Sequence, residues 1–333
     1  MIPKKKPNVM SKINHNETVY DCDCEVSADE FTHIGPMKNG GEHIARRSVG
    51  YFQGAVEYLM RDKLALILIL ILLFIVLGSV FIPMLSSYSF REQHLEHVNA
   101  GMFYTAPDGH HHLFGTDSLG RDLFVRIWEG GRISLSIAFA AVLINCLIGI
   151  LYGGISGYFG GRLDNILMRV IDIINGIPYL LIIILLMTIM KRGIATIIIA
   201  YAAVGWCGMA RLVRGQILQL KEQEFVICAQ TMGASASRIL LKHMIPNILS
   251  LIIVNLTLAI PGAIFTEAYL SFIGLGVPIP MASWGTLAND GIVNFQRYAF
   301  QLLLPAFFIS ITMLSFNLLG DKLRDAFDPK LRR

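Results

Sequence analysis

The chain is organised by a series of apolar runs, each close to the ~20 helical residues that cross a hydrocarbon layer roughly 30 Å thick. The cleanest, LALILILILLFIVLGSVFIPML at 64–85, carries no charge, and further runs fall at about 133–153, 166–190, 194–213, 247–273 and 298–319. Backbone polar groups in lipid must be satisfied within the protein, which such runs achieve as helices. The pattern therefore predicts an all-α membrane protein with six transmembrane helices. The third run is the least apolar, because it takes in Arg169, Asp172 and Asn175 before Ile177. Its NGIP at 175–178 predicts a bend, since proline lacks the amide that would continue the ladder.

Shorter amphipathic stretches lie between the runs. At 51–63, Phe52, Ala55, Val56, Leu59 and Met60 recur at helical spacing opposite Gln53, Glu57 and Arg61, which predicts a helix lying on the membrane surface. Before 133, Thr116 or Asp117 is placed to cap a second interfacial helix in which Leu119, Leu123, Phe124, Ile127 and Trp128 share a face. Between the fourth and fifth runs, residues 214–245 form a connection with its own pattern. From Glu224, the residues Phe225, Cys228, Ala229 and Met232 fall on one helical face; Gly233 permits a sharp turn into Ala234, and Ser235 can cap a second short helix through Arg238 toward Pro246. An apolar stripe outside the spans needs cover that is not lipid, either the bundle itself or another protein. Residues 1–50 are polar with no period and are expected to be a disordered tail, leaving 64–333 as one membrane domain.

Composition agrees with this class: 54% of residues are hydrophobic, 16% are charged, and mean hydropathy is +0.57. Basic residues set the orientation. Arg46, Arg47, Arg61 and Lys63, then Arg211, Arg214, Lys221, Arg238 and Lys242, then Lys322 and Arg324 outnumber Arg91, Arg121, Arg126, Arg132, Lys191, Arg192 and Arg297 on the other side. Both termini are thus expected in the cytoplasm. The first 50 residues hold no signal-peptide core, so insertion is expected through the first span. The five cysteines, at 22, 24, 146, 207 and 228, avoid the expected outer loops, and no disulfide framework is expected.

The chemistry is sparse. GxxxxGK[ST], HExxH and GxSxG are absent, so no nucleotide site or catalytic residue is expected. Cys22 and Cys24, and the histidines at 94, 97 and 110–112, show no metal-ligand spacing; the outer-loop histidines are expected to be solvated. Of the carboxylates within runs, Asp172 is expected to pair locally with Arg169 and Glu267 to sit at the interface.

Specific stretches carry a family resemblance. EFVICAQTMGASASRILLKHMIPNIL (224–249) resembles the cytoplasmic coupling loop of binding-protein-dependent ABC importer permeases, whose pattern runs Glu-Ala-Ala, three residues, Gly, nine residues, apolar-x-Leu-Pro. Here Ile227, Cys228, Ala229, Gly233, His243, Ile245 and Pro246 take those places; Ile227 replaces the glutamate and Cys228 the first alanine. HLFGTDSLGRD (112–122), GYFGGRLDNILMRVIDI (157–173), AYLSFIGLGVPIPMASWG (268–285) and LSFNLLGDKLRDAFDPKLR look like the C-type permeases of dipeptide and oligopeptide importers, a plan shared by a nickel branch. The resemblance implies the ABC importer type I permease fold in a bacterial cytoplasmic (inner) membrane. It implies partners as well: a second six-span permease, two ATP-binding-cassette ATPases that use ATP and Mg, an extracytoplasmic peptide-binding protein and membrane lipid, but no nucleic acid. The loop at 224–246 would seat on an ATPase, and Asn145, Asn255 and Thr257 are candidate pathway residues. The substituted Ile227 and Cys228 imply a docking surface more apolar than in relatives. Two alternatives stand beside a peptide permease: a nickel permease of the same plan, and a secondary transporter, which would show inverted repeats.

Overall fold

The structure is a computed structural model and describes residues 51–106, 109, 111–191 and 193–328. The expected tail at 1–50 lies outside the described residues. Helix α1 (Tyr51–Arg61) ends where Asp62 adopts an extended conformation, and the Asp62 carboxylate accepts from the Leu64 and Ala65 amides at 2.8 and 3.2 Å. That cap starts α2 (Lys63–Leu85) as a separate helix.

A connecting segment follows, with an antiparallel pair of short strands, β1 (Tyr104–Thr105) and β2 (His111–His112). The interfacial helix expected before 133 is not a separate element. It is the first part of α3 (Leu123–Phe159), a continuous helix of 37 residues. Neither Thr116 nor Asp117 caps it. Asp117 is already saturated, accepting from the Leu119 and Arg121 amides, Arg121 Nε and Arg126 Nη1 at 2.7–2.9 Å, so Asp122 takes the cap position and accepts from the Val125 amide at 2.9 Å. The outer histidines also depart from expectation: His97 and His112 are buried. The Asp122 carboxylate that caps α3 also bonds His112 Nδ1 at 2.8 Å, which draws that ring inward.

The third run breaks into α4 (Gly161–Asn175) and α5 (Tyr179–Ile189), which meet at 78°. Pro178, without an amide, stands at the junction. Next come α6 (Ile194–Ala202) and α7 (Trp206–Lys221), so the fourth run extends well past residue 213. Short elements follow: α8 (Glu224–Thr231), α9 (Ala236–Arg238), a π-helical turn (Ile239–Met244) and α10 (Ile245–Asn247). The chain closes with α11 (Leu249–Phe272), α12 (Trp284–Val293) and α13 (Phe300–Phe327). Among the described residues, five helices are long and apolar enough to cross a membrane, or six if α4 and α5 make one span.

Helix α3 is the hub. Trp284 at the start of α12 is fully buried against it; the indole Nε1 donates to the Ile127 carbonyl at 2.9 Å and the Trp284 amide to Ser134 Oγ at 3.2 Å. Glu267 is buried within the protein, 1% exposed, and accepts from the Ser134 and Ser271 hydroxyls at 2.7 Å each. A carboxylate held away from solvent needs such donors, and the Ser134 bond ties α11 to α3. At the other end of the bundle, α1 packs on α13 through Phe52 and Phe327, with ring centroids 5.8 Å apart, and Lys322 Nζ lies 2.7 Å from Asp62.

Candidate functional site

The candidate site is the connection between α7 and α11, and α7 fixes where it begins. Gly149, Gly153 and Gly157 recur every four residues along α3 and face α7. A Cβ built on Gly153 would lie 2.3 Å from the Ala210 carbonyl oxygen, and one on Gly157 2.9 Å from that of Arg214. Small residues at this spacing let two helix backbones approach closely. Polar clamps extend the contact. Arg214 bonds Asp164 with both Nε and Nη2, at 2.5 and 2.6 Å, while Ser156 Oγ donates to the same carboxylate. Lys221 Nζ reaches the Tyr158 carbonyl at 2.7 Å. Asp172 pairs with Arg211 at 2.7 Å, not with Arg169 as expected, because its turn of α4 faces α7. Residues 214–221 thus belong to α7, and the connection proper starts at Glu222, later than the expected 214.

Glu224 opens α8, which is held to the bundle by Val226, fully buried in a cluster with Cys146, Val213, Ile217, Ile239, Met244, Ile248 and Ile252. Ala229 and Ala234 pack against the edge of that cluster. The stripe expected from spacing therefore divides. Ala229 turns inward with Val226, whereas Phe225 (41% exposed), Ile227 (49%), Met232 (87%) and Cys228 face outward. Val226 is the anchor that sequence spacing passed over, because it falls outside the i, i+3, i+4, i+7 set that begins at Phe225.

Gly233 forms the corner at φ +77°, a backbone state that costs other residues strain. Ser235 holds the N-cap position of α9, but its hydroxyl makes no capping bond and lies 3.4 Å from Ser237 Oγ. Arg238 is exposed, Ile239 and Met244 are buried, and the turn they bound is wide: the Ile245 amide bonds the Leu240 carbonyl, five residues back. Pro246 cannot donate to the ladder here, and the Asn247 side chain takes up the His243 carbonyl at 2.7 Å. The result is an apolar outward face on a corner whose inner face is rigidly seated.

Of the candidate pathway residues, Asn145 and Asn255 line one cleft of about 290 Å³ between α3, α7 and α11, together with Tyr201 and Gly208. Asn145 is buried with its Oδ1 unbonded, and a Cβ on Gly205 would lie 2.2 Å from its Nδ2. A second cleft of about 470 Å³ shares Asn255 and Leu258 with the first and reaches Arg324 on α13. Thr257 joins neither; its hydroxyl bonds the Ile253 carbonyl within α11 at 3.0 Å. Among the described residues, no group of three or more His, Cys, Asp or Glu side chains is placed to hold a metal ion.

Comparison with known proteins bears on this geometry. Residues 119–333 match the family described as binding-protein-dependent transport system inner membrane component, and residues 50–107 match the N-terminal TM domain of oligopeptide transport permease C. The chain is 49% identical over 292 residues to the oligopeptide transport system permease protein OppC of Bacillus subtilis (strain 168), covering 88% of this chain and 94% of that one. It is 48% identical over 307 residues to the dipeptide transport system permease protein DppC of the same organism, covering 92% and 94%. Among solved structures it is similar to a chain of the MetNI methionine ABC transporter in inward-facing conformations, with a TM-score of 0.50, 16% identity, and coverage of 59% of this chain and 94% of that one. The last likeness is one of fold.

Proposed function

We propose a role that proceeds from what this chain is: it belongs to the binding-protein-dependent transport system inner membrane components, helical multi-pass permeases of ABC importers. The chain forms one half of the pathway by which dipeptides or oligopeptides enter the cell. A second permease completes the pathway, an extracytoplasmic binding protein delivers the peptide, and two ATPase subunits supply ATP hydrolysis that this chain does not perform. Relatives named for oligopeptide and dipeptide transport at 49% and 48% identity support the peptide over the nickel alternative.

The observation that carries the mechanism is the two-sided α8. Val226 on one side joins the buried cluster of α7 and α11, while Phe225, Ile227, Cys228 and Met232 on the other are apolar and uncovered. An apolar face outside the lipid spans is a docking surface for protein. Seated in an ATPase groove, α8 would pass displacement through Gly233 and the wide turn into α11, which lines the cleft at Asn255. Nothing polar stands at 227 to pair with a partner cation, so the seat is expected to be apolar.

The test uses the assembled complex in vesicles, with ATP inside and binding protein outside, offered a labelled dipeptide, a labelled oligopeptide or Ni²⁺. ATP-dependent accumulation of peptide is expected, with none of Ni²⁺. Nickel accumulation, or peptide accumulation without ATP, would overturn this function.

A further inference from the structure

At the end of the bundle opposite α8, α12 and the segment before it enclose a cavity of about 440 Å³ that the transport mechanism above does not use. Two features set it apart. Its wall includes two arginines that are nearly fully buried, Arg121 (6% exposed) and Arg126 (2%), and the rest mixes apolar side chains such as Val277 and Ile279 with the polar Ser118, Thr286, Asn289 and Asp290. That volume and that mixture of apolar wall with a few fixed polar groups are those of a small-ligand site, about 300–1,000 Å³.

The two guanidiniums are unequally matched by carboxylates. Asp117 holds Arg121 Nε at 2.7 Å and Arg126 Nη1 at 2.8 Å, and it is saturated by two backbone amides besides. The remaining terminal nitrogens, Nη2 of Arg121 and Nη2 of Arg126, converge on one oxygen, Asp290 Oδ2 of α12, at 3.7 and 3.6 Å. Those separations exceed the about 2.7–2.9 Å of a charge-assisted bond. Arg126 Nε has no hydrogen-bond partner at all. Asp290 is itself half-exposed, at 46% of its side chain. One buried carboxylate thus fixes the pair, and a second, solvent-facing one occupies loosely the point at which their spare donors meet.

We infer that this cavity is a carboxylate-binding site in the permease itself, in which the C-terminal carboxylate of a peptide displaces Asp290 and bridges Nη2 of Arg121 and Arg126. This rests on the peptide reading of the transporter. The spare donors and the loosely held Asp290 counter-ion give the site an occupant when empty and a reason to exchange it. A substrate carboxylate can approach to full bonding distance, which Asp290, tethered to α12, does not reach. The apolar segment at Val277 and Ile279 would lie along the peptide side chain.

The experiment measures binding of a labelled dipeptide, and of the same dipeptide as its C-terminal amide, to the assembled transporter in nanodiscs without the binding protein. The free acid is expected to bind at least about tenfold more tightly than the amide, the scale of hydrogen bonds to a charged group. Asp290→Asn, which removes the competitor, is expected to tighten free-acid binding several-fold and leave the amide unchanged. Arg126→Lys, which keeps the charge on Asp117 paired but removes the fork, is expected to erase the difference between acid and amide. Equal binding of acid and amide, or an Asp290→Asn effect shared by both, would overturn the site. So would a change confined to binding-protein affinity, which would assign these arginines to a carboxylate on that partner. Uptake of the same dipeptide by wild-type vesicles with binding protein runs alongside: if uptake proceeds while acid and amide bind alike, the cavity inference fails and the transport function stands.

Discussion

Gly153 shows how a single atom can decide the position of a helix. Its hydrogen leaves room for the Ala210 carbonyl, where a Cβ would approach to 2.3 Å of backbone that cannot swing away. Gly153→Ala is therefore expected to force α3 from α7 and to lower unfolding free energy by about 1–3 kcal/mol, the usual range for overpacking. Gly215→Ala on α7, where nothing lies within 4 Å, is the matched control. There the change is expected to be neutral or mildly stabilising, since alanine favours helix by up to about 1 kcal/mol over glycine. Thermal unfolding of the two purified variants checks the contrast. Two carboxyls outside the spans should likewise separate by pH. The hydrogen bond from Lys322, with help from the Ala65 amide, holds Asp62 below the ordinary carboxylate range. Its contribution is present above that range and lost as pH falls through the lowered value. Burial, opposed by Arg121, holds Asp290 above its ordinary value. That group favours the fold at low pH, and stability declines as pH rises toward the raised value. Across about pH 3 to 6, thermal midpoints of Asp62→Asn should therefore lose an acid-side fall, and those of Asp290→Asn should lose a decline on the alkaline side.

At the scale of elements, the eight residues of α8 carry both a buried anchor, Val226, and the exposed apolar side chains proposed to dock. Met244→Ala, opposite Val226 in the buried cluster, is expected to destabilise by about 2–5 kcal/mol and to reduce the amount of folded chain. Phe225→Asp, on the outward face, is expected to leave stability within about 0.5 kcal/mol of wild type while ATPase co-purification is lost. Loss of fold in Phe225→Asp, or retained ATPase binding with normal uptake, would remove α8 from the coupling role. The sequence pattern foresaw this helix and its Gly233 corner because both are written locally, in spacing and in one residue type. It could not divide the stripe, since Ala229 and Met232 share a face by period while only the cluster from α3, α7 and α11 decides which is covered. The Asp164–Arg214 clamp joins residues fifty positions apart, and the Asp172 partner changed from Arg169 to Arg211 for the same reason. The glycines 149, 153 and 157, by contrast, stood in the sequence at a spacing of four and could have been read as a close helix contact. Buried His97 and His112 were not legible, because Asp122 draws His112 inward only once α3 begins there.

For the whole molecule, a contact between α2 and α13 bears on the number of crossings. Asp62 at the start of α2 and Lys322 near the end of α13 are 2.7 Å apart, with Phe52 on Phe327 beside them. Groups in contact lie on one side of a membrane, so the chain between them must cross an even number of times. Five long apolar helices alone would give an odd number. On this parity we propose that α4 and α5, despite their 78° break, act as one crossing and not as a loop that returns to the side it left. The prediction is direct. In a cysteine-free background, Glu57→Cys before α2 and Asp325→Cys at the end of α13 should react with a membrane-impermeant maleimide from the same side of sealed vesicles, and Glu96→Cys in the outer segment only from the other. Labelling of 57 and 325 from opposite sides would make the α4–α5 pair re-entrant.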